Sequence, residues 1–480
     1  MLSHHRLLPL LCLPCLCASA MAWSGCSGDA VDDEAADAGP AKVTRLPQFA
    51  IGTKQEDDLQ AIAVTKDGDL MAAGYTNGAG AGDWDALLLR ASPCGELRWA
   101  KTYGGVDKEM AVGVVATADG GLAAVGRTDS FGGYVDVYVL RTDGQGVLQW
   151  SYAYGGSGHD AGVAIVENPD GSLLALAETY NFGPGTPAFH NMMLLKLGAT
   201  GELLWDRTFG GDVEGDAGFA IAHRFGADGG HLGHAIAGAT ESYGQGRDDV
   251  WLLYVDDAGA LAGSWAYGGP GDDEARAISP TADGGWLITG HTRGFDAQSA
   301  DIFALEVGAK GEVRWMRRYG GTKKERSYGI HPISEAGGGG WMLTGHSASF
   351  GQGLDDRLAL RLDAAGKPVK LRVFGMKADD KSEASVALGG DRFVLAGRTE
   401  SLGAGQRDGW ITTVDADAMG GCLETTVPPS ELRTAGLLPE RVLVEPGMAQ
   451  GAVRSDADTV VGDFAAPVVQ TKDTCPTACE

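Results

Sequence analysis

Apolar residues in this chain fall into short stretches that recur in groups of four, separated by glycine-rich turns. The most regular stretch reads LMAAGYT, LAAVGRT, LLALAET, HAIAGAT, WLITGHT, WMLTGHS and FVLAGRT, beginning at residues 70, 122, 173, 234, 286, 341 and 393. Turn clusters such as KDGD and ADGG precede these stretches, and short apolar runs bounded by such turns are typical of β-hairpins. The pattern therefore predicts seven repeated units of short strands.

The other three stretches of each unit have patterns of their own. The stretch before the regular one is built from small residues, as in AVGVVA at 111, which suits strands that crowd towards a common axis. The stretch after it begins at an Asp and alternates, as in DALLLR at 85, and the fourth carries a tryptophan and closes on an aromatic residue and glycine, as in WAKTYGG at 99–105. Four short strands in each of seven units predict an all-β protein, a seven-bladed β-propeller of four-stranded blades.

The closing aromatic residue of the fourth stretch recurs at intervals of 51 to 58 residues, at Tyr103, Tyr154, Phe209, Tyr267, Tyr319 and Phe374. The seventh unit lacks this phrase, whereas the leader VTRLPQFAIG precedes the first unit. We therefore expect residues 43–51 to supply the outer strand of the last blade. The ring would then be closed by its own N-terminal strand.

The first 25 residues have the pattern of a secretory signal peptide. A polar start with His4, His5 and Arg6 leads into the apolar run 7–22, which is too short for a comfortable membrane span. WSGC at 23–26 resembles the bacterial lipobox, in which the cysteine becomes diacylated, whereas ASA at 18–20 would suit cleavage without lipid. We expect lipid on Cys26, an acidic tether over 26–42, the propeller over 43–421 and an irregular C-terminal tail over 422–480.

The net charge limits the classes of partner, and the number of cysteines indicates the compartment. The 480 residues carry a formal net charge of −26, which disfavours a nucleic-acid partner because phosphate backbones attract Lys and Arg. Beyond the signal peptide and Cys26, an even number of cysteines remains for an oxidising compartment. Cys94 and Cys422 follow the third stretches of units one and seven, so we expect them to pair if the ring closes. Cys475 and Cys479 would then pair with each other through a small loop. In the alternative, Cys475 or Cys479 bonds to Cys94 or Cys422.

An acidic residue opens the innermost stretch of every unit, at the same end of the blade as the hydroxyl that closes the second stretch. We interpret these residues as structural carboxylates that accept from the hydroxyls, and the alternative is a carboxylate ring that gathers a cation. The seven positions are Asp57, Glu109, Asp160, Asp216, Asp273, Glu325 and Asp380.

The residue before that hydroxyl changes its chemistry from unit to unit while its neighbours stay fixed. Such variation is expected of a recognition face, and equally of an unconstrained position in solvent, which we favour. The candidate positions are Tyr75, Arg127, Glu178, Ala239, His291, His346 and Arg398.

The sequence contains no catalytic or metal-binding motif that would indicate a further site residue. The chain has no GxSxG, no HExxH and no glycine-rich phosphate loop, so we predict no catalytic residue and no cofactor. An insertion at 223–234 contains His223, His231 and His234, which we interpret as residues of a solvated loop because no carboxylate or cysteine is fixed beside them. No metal site is predicted.

The DGG and GxT phrases, the Asp-led third stretch and the W…YGG phrase together resemble the bacterial extracytoplasmic β-propeller repeat lipoproteins with SBBP or delta-60-type repeats. The resemblance covers roughly residues 45–420 and implies a fold and a place at the cell envelope, but no activity. The hairpins GATGELLW and GAKGEVRW also resemble the docking phrase of quinoprotein propellers and of the outer-membrane assembly lipoprotein.

We therefore expect a monomeric binding or scaffolding lipoprotein without catalytic activity. Its place would be the outer membrane or the cell surface, or the medium if Cys26 is not lipidated, and its partner would be a protein or a glycan. The alternatives are a propeller enzyme of the quinoprotein type and an outer-membrane assembly factor.

Overall fold

A computed structural model describes residues 46–437 except 213, 298 and 422, together with five short strands between 440 and 470. These residues belong to a compact unit that spans Thr44–Glu480. The signal peptide, Cys26 and the acidic tether lie outside the described residues, so the expectations about them stay predictions.

The propeller begins with strand β1 (Gln48–Ile51) and continues through six blades of four consecutive antiparallel strands and a seventh of three, which β1 completes. The first three blades consist of β2 (Asp57–Val64), β3 (Leu70–Thr76), β4 (Asp85–Ala91) and β5 (Leu97–Gly104); β6 (Glu109–Ala116), β7 (Leu122–Thr128), β8 (Asp136–Thr142) and β9 (Leu148–Gly155); and β10 (Asp160–Glu167), β11 (Leu173–Thr179), β12 (Asn191–Leu197) and β13 (Leu203–Gly210). The fourth and fifth blades consist of β14 (Asp216–Phe225), β15 (His231–Thr240), β16 (Asp249–Val255) and β17 (Leu261–Gly268); and β18 (Asp273–Pro280), β19 (Trp286–Thr292), β20 (Asp301–Val307) and β21 (Val313–Gly320). The last two consist of β22 (Glu325–Pro332), β23 (Trp341–Ser347), β24 (Asp356–Leu362) and β25 (Pro368–Phe374); and β26 (Asp380–Gly389), β27 (Arg392–Thr399) and β28 (Asp408–Asp415), completed by β1.

The predicted seven-bladed architecture is confirmed. Five of the seven regular stretches coincide with strand starts, while in the fourth and seventh blades the strand begins earlier, at His231 and Arg392. The hydrophobic core is divided into seven clusters, each built from the facing sheets of two neighbouring blades. Burial between blades, and not within one, therefore holds the ring together.

Closure by the N-terminal strand is also confirmed, for the part of 43–51 that the structure describes. β1 pairs antiparallel with β28, with Gln48 opposite Thr412 and Ile51 opposite Gly409. Phe49 and Ile51 are buried in the cluster between the seventh and first blades. The last blade thus takes its outer strand from the other end of the propeller.

The C-terminal tail differs from the irregular segment that the sequence predicts. Beyond the short 3₁₀ helix Pro429–Glu431, its described parts are mostly strands, and each adds a fifth strand to one blade, antiparallel to the fourth. In chain order these are β29 (Glu424–Val427), β30 (Arg433–Leu437), β31 (Glu440–Leu443), β32 (Gly447–Ala449), β33 (Val453–Asp456), β34 (Val460–Asp463) and β35 (Val468–Gln470). They join blades six, five, four, three, two, one and seven in turn, so the tail runs back around the ring.

The tyrosine of the fourth strand links four of the blades to the next, and several of the tryptophans do the same. Tyr103 donates its phenolic hydrogen to the Gly146 carbonyl at 2.7 Å, and the indole of Trp99 donates to the Gly144 carbonyl at 3.0 Å. Both acceptors lie in the turn between the third and fourth strands of the following blade. The same tyrosine contact joins Tyr154 to Gly201, Tyr267 to Gly311 and Tyr319 to Gly366. The recurring W…YGG phrase is therefore an inter-blade contact repeated around the ring.

Candidate functional site

The seven predicted carboxylates all lie at the start of the innermost strands and are fully buried. Each accepts a hydrogen bond from a backbone N–H in the loop that leads in from the preceding blade, as Glu109 does from Gly105 at 2.6 Å. Glu109 also accepts from the Thr128 hydroxyl at 2.6 Å, and Glu325 accepts from the Ser347 hydroxyl at 2.9 Å. The remaining backbone donors are Thr53, Gly156, Gly211, Gly269, Gly321 and Met376. This geometry supports the structural interpretation of these residues over the cation ring.

A second set of buried acids faces the first across each junction between blades, and we did not single it out from the sequence. It consists of the residues that open the third strands: Asp85, Asp136, Asp249, Asp301, Asp356 and Asp408, with Asn191 in the third blade. Burial, reinforced by the neighbouring Asp160, raises the pKa of Asp136 to about 6. Burial and the neighbouring Asp380 likewise raise the pKa of Asp356 to about 6. The sequence signal was the fixed Asp at the start of the third stretch.

The variable positions before the hydroxyls are not unconstrained solvent positions. His291 and His346 are 1% and 4% exposed, Ala239 is buried as well, and the other four side chains are half-buried. Each lies opposite the second residue of the innermost strand, as Tyr75 lies opposite Asp58. These positions lie at the end of the blades that holds the carboxylates, which is one mouth of the channel. The interpretation as unconstrained solvent positions is wrong, because their side chains are buried or half-buried.

Blades five, six, seven and one carry a series of ion pairs along one arc of this mouth. Arg398 lies 2.9 Å from Asp58 and 3.4 Å from Glu383, so it joins the seventh blade to the first. Burial, reinforced by Asp58, raises the pKa of Glu383 to about 6. His291 lies 3.3 Å from a carboxylate oxygen of Glu274 in the fifth blade.

The same arc continues across the sixth blade. Asp355 accepts from Lys324 at 2.8 Å and from Lys381 at 3.0 Å. His346 lies beside this group and stacks on Tyr328 with ring centroids 5.5 Å apart. Burial lowers the pKa of His346 to about 3, although Asp355 opposes the shift, so its imidazole is neutral at pH 7.

Blades two, three and four present a different surface on the opposite arc. Arg127 and Glu178 lie opposite Met110 and Ala161, and Ala239 lies opposite Ala217. Within these pairs only Arg127 and Glu178 are charged. The mouth therefore has one arc of paired charges and one arc with few charges.

A ring of β-bulge residues, which sequence reasoning missed, lines the channel below this mouth. Every innermost strand skips one residue in its pairing with the second strand. We call the skipped residues the inner ring: Gln60, Val112, Val163, Phe219, Arg276, Tyr328 and Glu383. They line a cavity of about 550 Å³. A bulge leaves a residue unpaired and re-aims its side chain, which no alternation in the sequence reveals.

The three histidines of the insertion lie on strands and not in a solvated loop, because the hairpin of β14 and β15 is longer than its counterparts. His223 is opposite His234 across the hairpin, and Phe225 is opposite His231. Burial lowers the pKa of His234 to about 3 and also lowers that of His223. These residues lie at the far end of the blade from the carboxylates.

The remaining predictions fall partly outside the described residues. Cys94 lies in the turn between β4 and β5, whereas Cys422, Cys475 and Cys479 are not described, so the disulfide pairing stays a prediction. Within the described part of the chain, no helical segment combines the length and apolar character that a membrane span requires.

No family model and no curated protein matches this chain. Among solved structures, it is similar to two crystal structures of Sqt1 from Chaetomium thermophilum, both at 12% identity over 77% of this chain and over 98% and 99% of those chains, with TM-scores of 0.41 and 0.40. A third structure, of Sqt1 from the same organism bound to the N-terminus of the ribosomal protein L10, matches at 11% identity over 79% of this chain and 90% of that one, with a TM-score of 0.42. Identities this low carry no information about a ligand or an activity.

Proposed function

We propose that this chain is a binding or scaffolding protein without catalytic activity, held at the bacterial cell envelope by lipid on Cys26. The inner ring is the observation that supports the binding role. The channel position two residues further along each innermost strand is isoleucine in five of the seven blades, at Ile62, Ile165, Ile221, Ile278 and Ile330. The inner ring, in contrast, contains aliphatic, aromatic, amide and charged side chains. A variable ring on a constant scaffold is what a binding site requires.

The ligand class that this ring favours is a segment of protein. Val112, Val163 and Phe219 come from consecutive blades and form an apolar arc of the cavity. Arg276, Tyr328 and Glu383 complete the other side, and the Arg276 guanidinium lies 3.8 Å from the centroid of the Phe219 ring. An amphipathic protein segment offers both apolar and charged groups, whereas a glycan presents mainly hydroxyls. The cavity volume falls within the range of about 300–1,000 Å³ that is usual for ligand sites.

Site-specific photo-cross-linking in the native cell tests this site. A benzophenone amino acid at Val163 is expected to give a cross-linked protein adduct on illumination, because this side chain faces the cavity. The matched control is the same amino acid at Leu204, which is 51% exposed on the outer strand of the same blade. Identical adducts at both positions, or none at Val163, would contradict a protein ligand in the channel, and a carbohydrate adduct at Val163 would replace it with a glycan.

The lipid anchor has a separate test. Cys26→Ala is expected to move the protein from the membrane fraction to the soluble fraction, because a diacyl group supplies the strong membrane affinity in this proposal. Labelled palmitate should mark the wild-type chain and not the variant. Membrane fractionation that is unchanged in the variant, with no labelling of the wild type, would overturn the anchor and leave the channel site standing.

A further inference from the structure

The hairpin of β14 and β15 brings three imidazoles together at the end of the fourth blade. Both strands have ten residues, whereas the corresponding strands of the neighbouring blades have eight and seven. The extension places His223 directly opposite His234. His231 lies opposite Phe225, two residues further along β14 than His223. The ring centroids of His223, His231 and His234 are 5.1 Å apart for each pair. The three rings therefore form a compact triangle.

One nitrogen of each ring points towards the others. The three nitrogens that could serve as ligand atoms lie within 4.8 Å of one another. Nδ1 of His223 is 3.0 Å from Nε2 of His231. Two nitrogens on a tetrahedral metal with bonds of about 2.0–2.1 Å would be about 3.3 Å apart, so small ring movements suffice to admit an ion.

The other side of each ring is held by a group that can only accept a hydrogen bond. Nδ1 of His231 lies 2.9 Å from the Asp257 carboxylate. Nε2 of His234 lies 2.8 Å from Oδ1 of Asn168, and the Asn168 amide donates to Ser172, which fixes that orientation. The His223 ring bonds to the backbone carbonyl of Glu167.

These outer contacts fix the tautomers of the rings. A ring nitrogen that faces a carboxylate, an amide oxygen or a carbonyl must carry the proton, so the inward nitrogens of His223, His231 and His234 present lone pairs. Nδ1 of His234 is buried, and it has no hydrogen-bond partner among the described residues. An unpartnered buried lone pair is costly unless something occupies the position in front of it.

We propose that His223, His231 and His234 form a three-histidine site for a divalent transition-metal ion of the zinc class, with Asp257 and Asn168 as outer-shell partners. Neutral imidazole nitrogens suit Zn²⁺, Co²⁺, Ni²⁺ and Cu²⁺, whereas Ca²⁺ and Mg²⁺ require oxygen ligands. His223 and His231 are partly exposed, so a fourth coordination position faces solvent. The site lies at the opposite end of the blade from the channel mouth and does not depend on the channel ligand.

The nearby positive charges are already engaged elsewhere. Lys196 reaches the backbone carbonyl of Asp257 at 3.3 Å and lies 3.9 Å from Asp170. The Arg224 guanidinium lies 4.1 Å from the centroid of the Tyr254 ring. The Asp257 carboxylate, which holds His231, therefore remains to balance the charge of a bound cation.

Cobalt titration of the full chain, purified without a histidine tag and stripped with a chelator, tests the site. We expect one equivalent of Co²⁺ to bind and to give the visible absorption bands of tetrahedral cobalt, and Zn²⁺ to displace it. His231→Ala, at the partly exposed end of the hairpin, should abolish this binding, and Asp257→Asn should weaken it roughly 10- to 100-fold.

His159→Ala is the matched control, because His159 is exposed on the third blade and should leave the titration unchanged. Zn²⁺ should also raise the melting temperature of the wild type and not that of His231→Ala. A cooperative melting transition in His231→Ala shows that the variant is folded, and the missing shift shows that it lacks the site. Unchanged cobalt stoichiometry in His231→Ala, or the absence of tetrahedral bands in the wild type, would overturn the proposal.

Discussion

At the scale of the residue, the first glycine of three YGG phrases, at Gly104, Gly155 and Gly268, is required by two carboxylates from different blades. A Cβ added to Gly155 would lie 1.8 Å from Oδ1 of Asp136 and 2.7 Å from Oδ2 of Asp160. The same pair of acids crowds Gly268, where the distances are 1.7 Å and 3.0 Å. No side chain fits in that space, so glycine is what allows two buried acids to lie side by side at a junction.

Gly155→Ala is therefore expected to destabilise the protein by about 1–3 kcal/mol, because the new methyl group must displace one carboxylate from its hydrogen bonds. Gly133→Ala is the matched control, since a Cβ there meets nothing within 4 Å. Chemical denaturation of both variants measures the difference. Equal unfolding free energies for the two variants would contradict this account of the glycine.

Asp136→Asn is expected to stabilise the protein by about 1–2 kcal/mol at pH 7.5, because a neutral amide does not repel Asp160. The carboxyl has a raised pKa of about 6, so its favourable contribution is complete below its unfolded-state pKa near 3.8 and is lost as the pH rises through 6. The gain from the amide should therefore shrink at pH 5. Asn191 already occupies the equivalent position in the third blade.

The control for this prediction is Asp301→Asn. Asp301 holds the same position in the fifth blade, and burial raises its pKa as well, but it accepts from Arg318 at 2.9 Å. Its replacement leaves Arg318 without this carboxylate, so Asp301→Asn should stabilise the protein less than Asp136→Asn at pH 7.5. Melting temperatures at pH 5 and 7.5 compare the two variants. A loss of stability in Asp136→Asn at pH 7.5 would show that the repulsion is not the dominant effect.

At the scale of the element, β1 lies between two strands that come from the far end of the chain. It pairs with β28 on one side and with β35 on the other, where Phe49 is opposite Gln470 and Ile51 is opposite Val468. Its removal would expose the edge of β28 and empty the space that Phe49 fills in the core.

Deletion of residues 43–51 is accordingly expected to cost at least about 4 kcal/mol of stability, from the loss of two fully buried apolar side chains and a paired strand. Deletion of 27–38, within the predicted tether, is the control and should leave the melting temperature unchanged. The two deletions are compared by thermal unfolding. If both melt at the temperature of the wild type, the N-terminal strand does not close the ring.

Most elements that the sequence predicted are those whose pattern repeats from unit to unit, and β1 was predicted because the seventh unit lacks a fourth stretch of its own. The elements that the sequence missed have no repeat. The tail strands have three to five residues each, too few for alternation to stand out, and an existing strand edge determines where they pair. The sequence predicts strands for the inner part of the hairpin of β14 and β15, but a loop for its outer end at 223–234, because the histidines and glycines there give no apolar alternation.

The residues of the candidate site also divide into those that the sequence located and those that it missed. The carboxylates and the positions before the hydroxyls have fixed places in every unit, so the sequence located both sets. The inner ring depends on a pairing register that shifts by one residue, as at Val163, and a shift of this kind changes which side chains face the channel without changing the composition of the strand. The triangle of histidines required the cross-strand register of a single hairpin.

At the scale of the whole molecule, the ends of the propeller meet at β1, and the predicted disulfide belongs to this meeting point. A Cβ added to Gly95, which follows Cys94, would lie 2.8 Å from the Phe49 ring. A Cβ added to Gly421, which precedes Cys422, would lie 2.4 Å from the Gln48 side chain. Gly95 and Gly421 therefore lie close to adjacent residues of β1, and the pairing of Cys94 with Cys422 stays a prediction because Cys422 is not among the described residues.

Non-reducing peptide mapping is expected to yield one linked pair of peptides that contains residues 94 and 422. Such a bond would stabilise the closed ring by restricting the unfolded chain, by about 6 kcal/mol when loop-closure entropy alone is counted for a loop of this length. A linked pair of residues 94 and 475, or alkylation of residues 94 and 422 without prior reduction, would refute the pairing.

The position of β1 also determines when the molecule can be completed during its synthesis. β1 is made before every blade, but its partner β28 follows about 360 residues later, and β35 comes later still. Contacts this distant in sequence form slowly, because a long stretch of chain must be ordered before they are made. The four-stranded parts of the first six blades can assemble as they emerge, whereas β1 must wait for β28 and every fifth strand must wait for the tail. Ring closure is therefore expected among the last steps of folding.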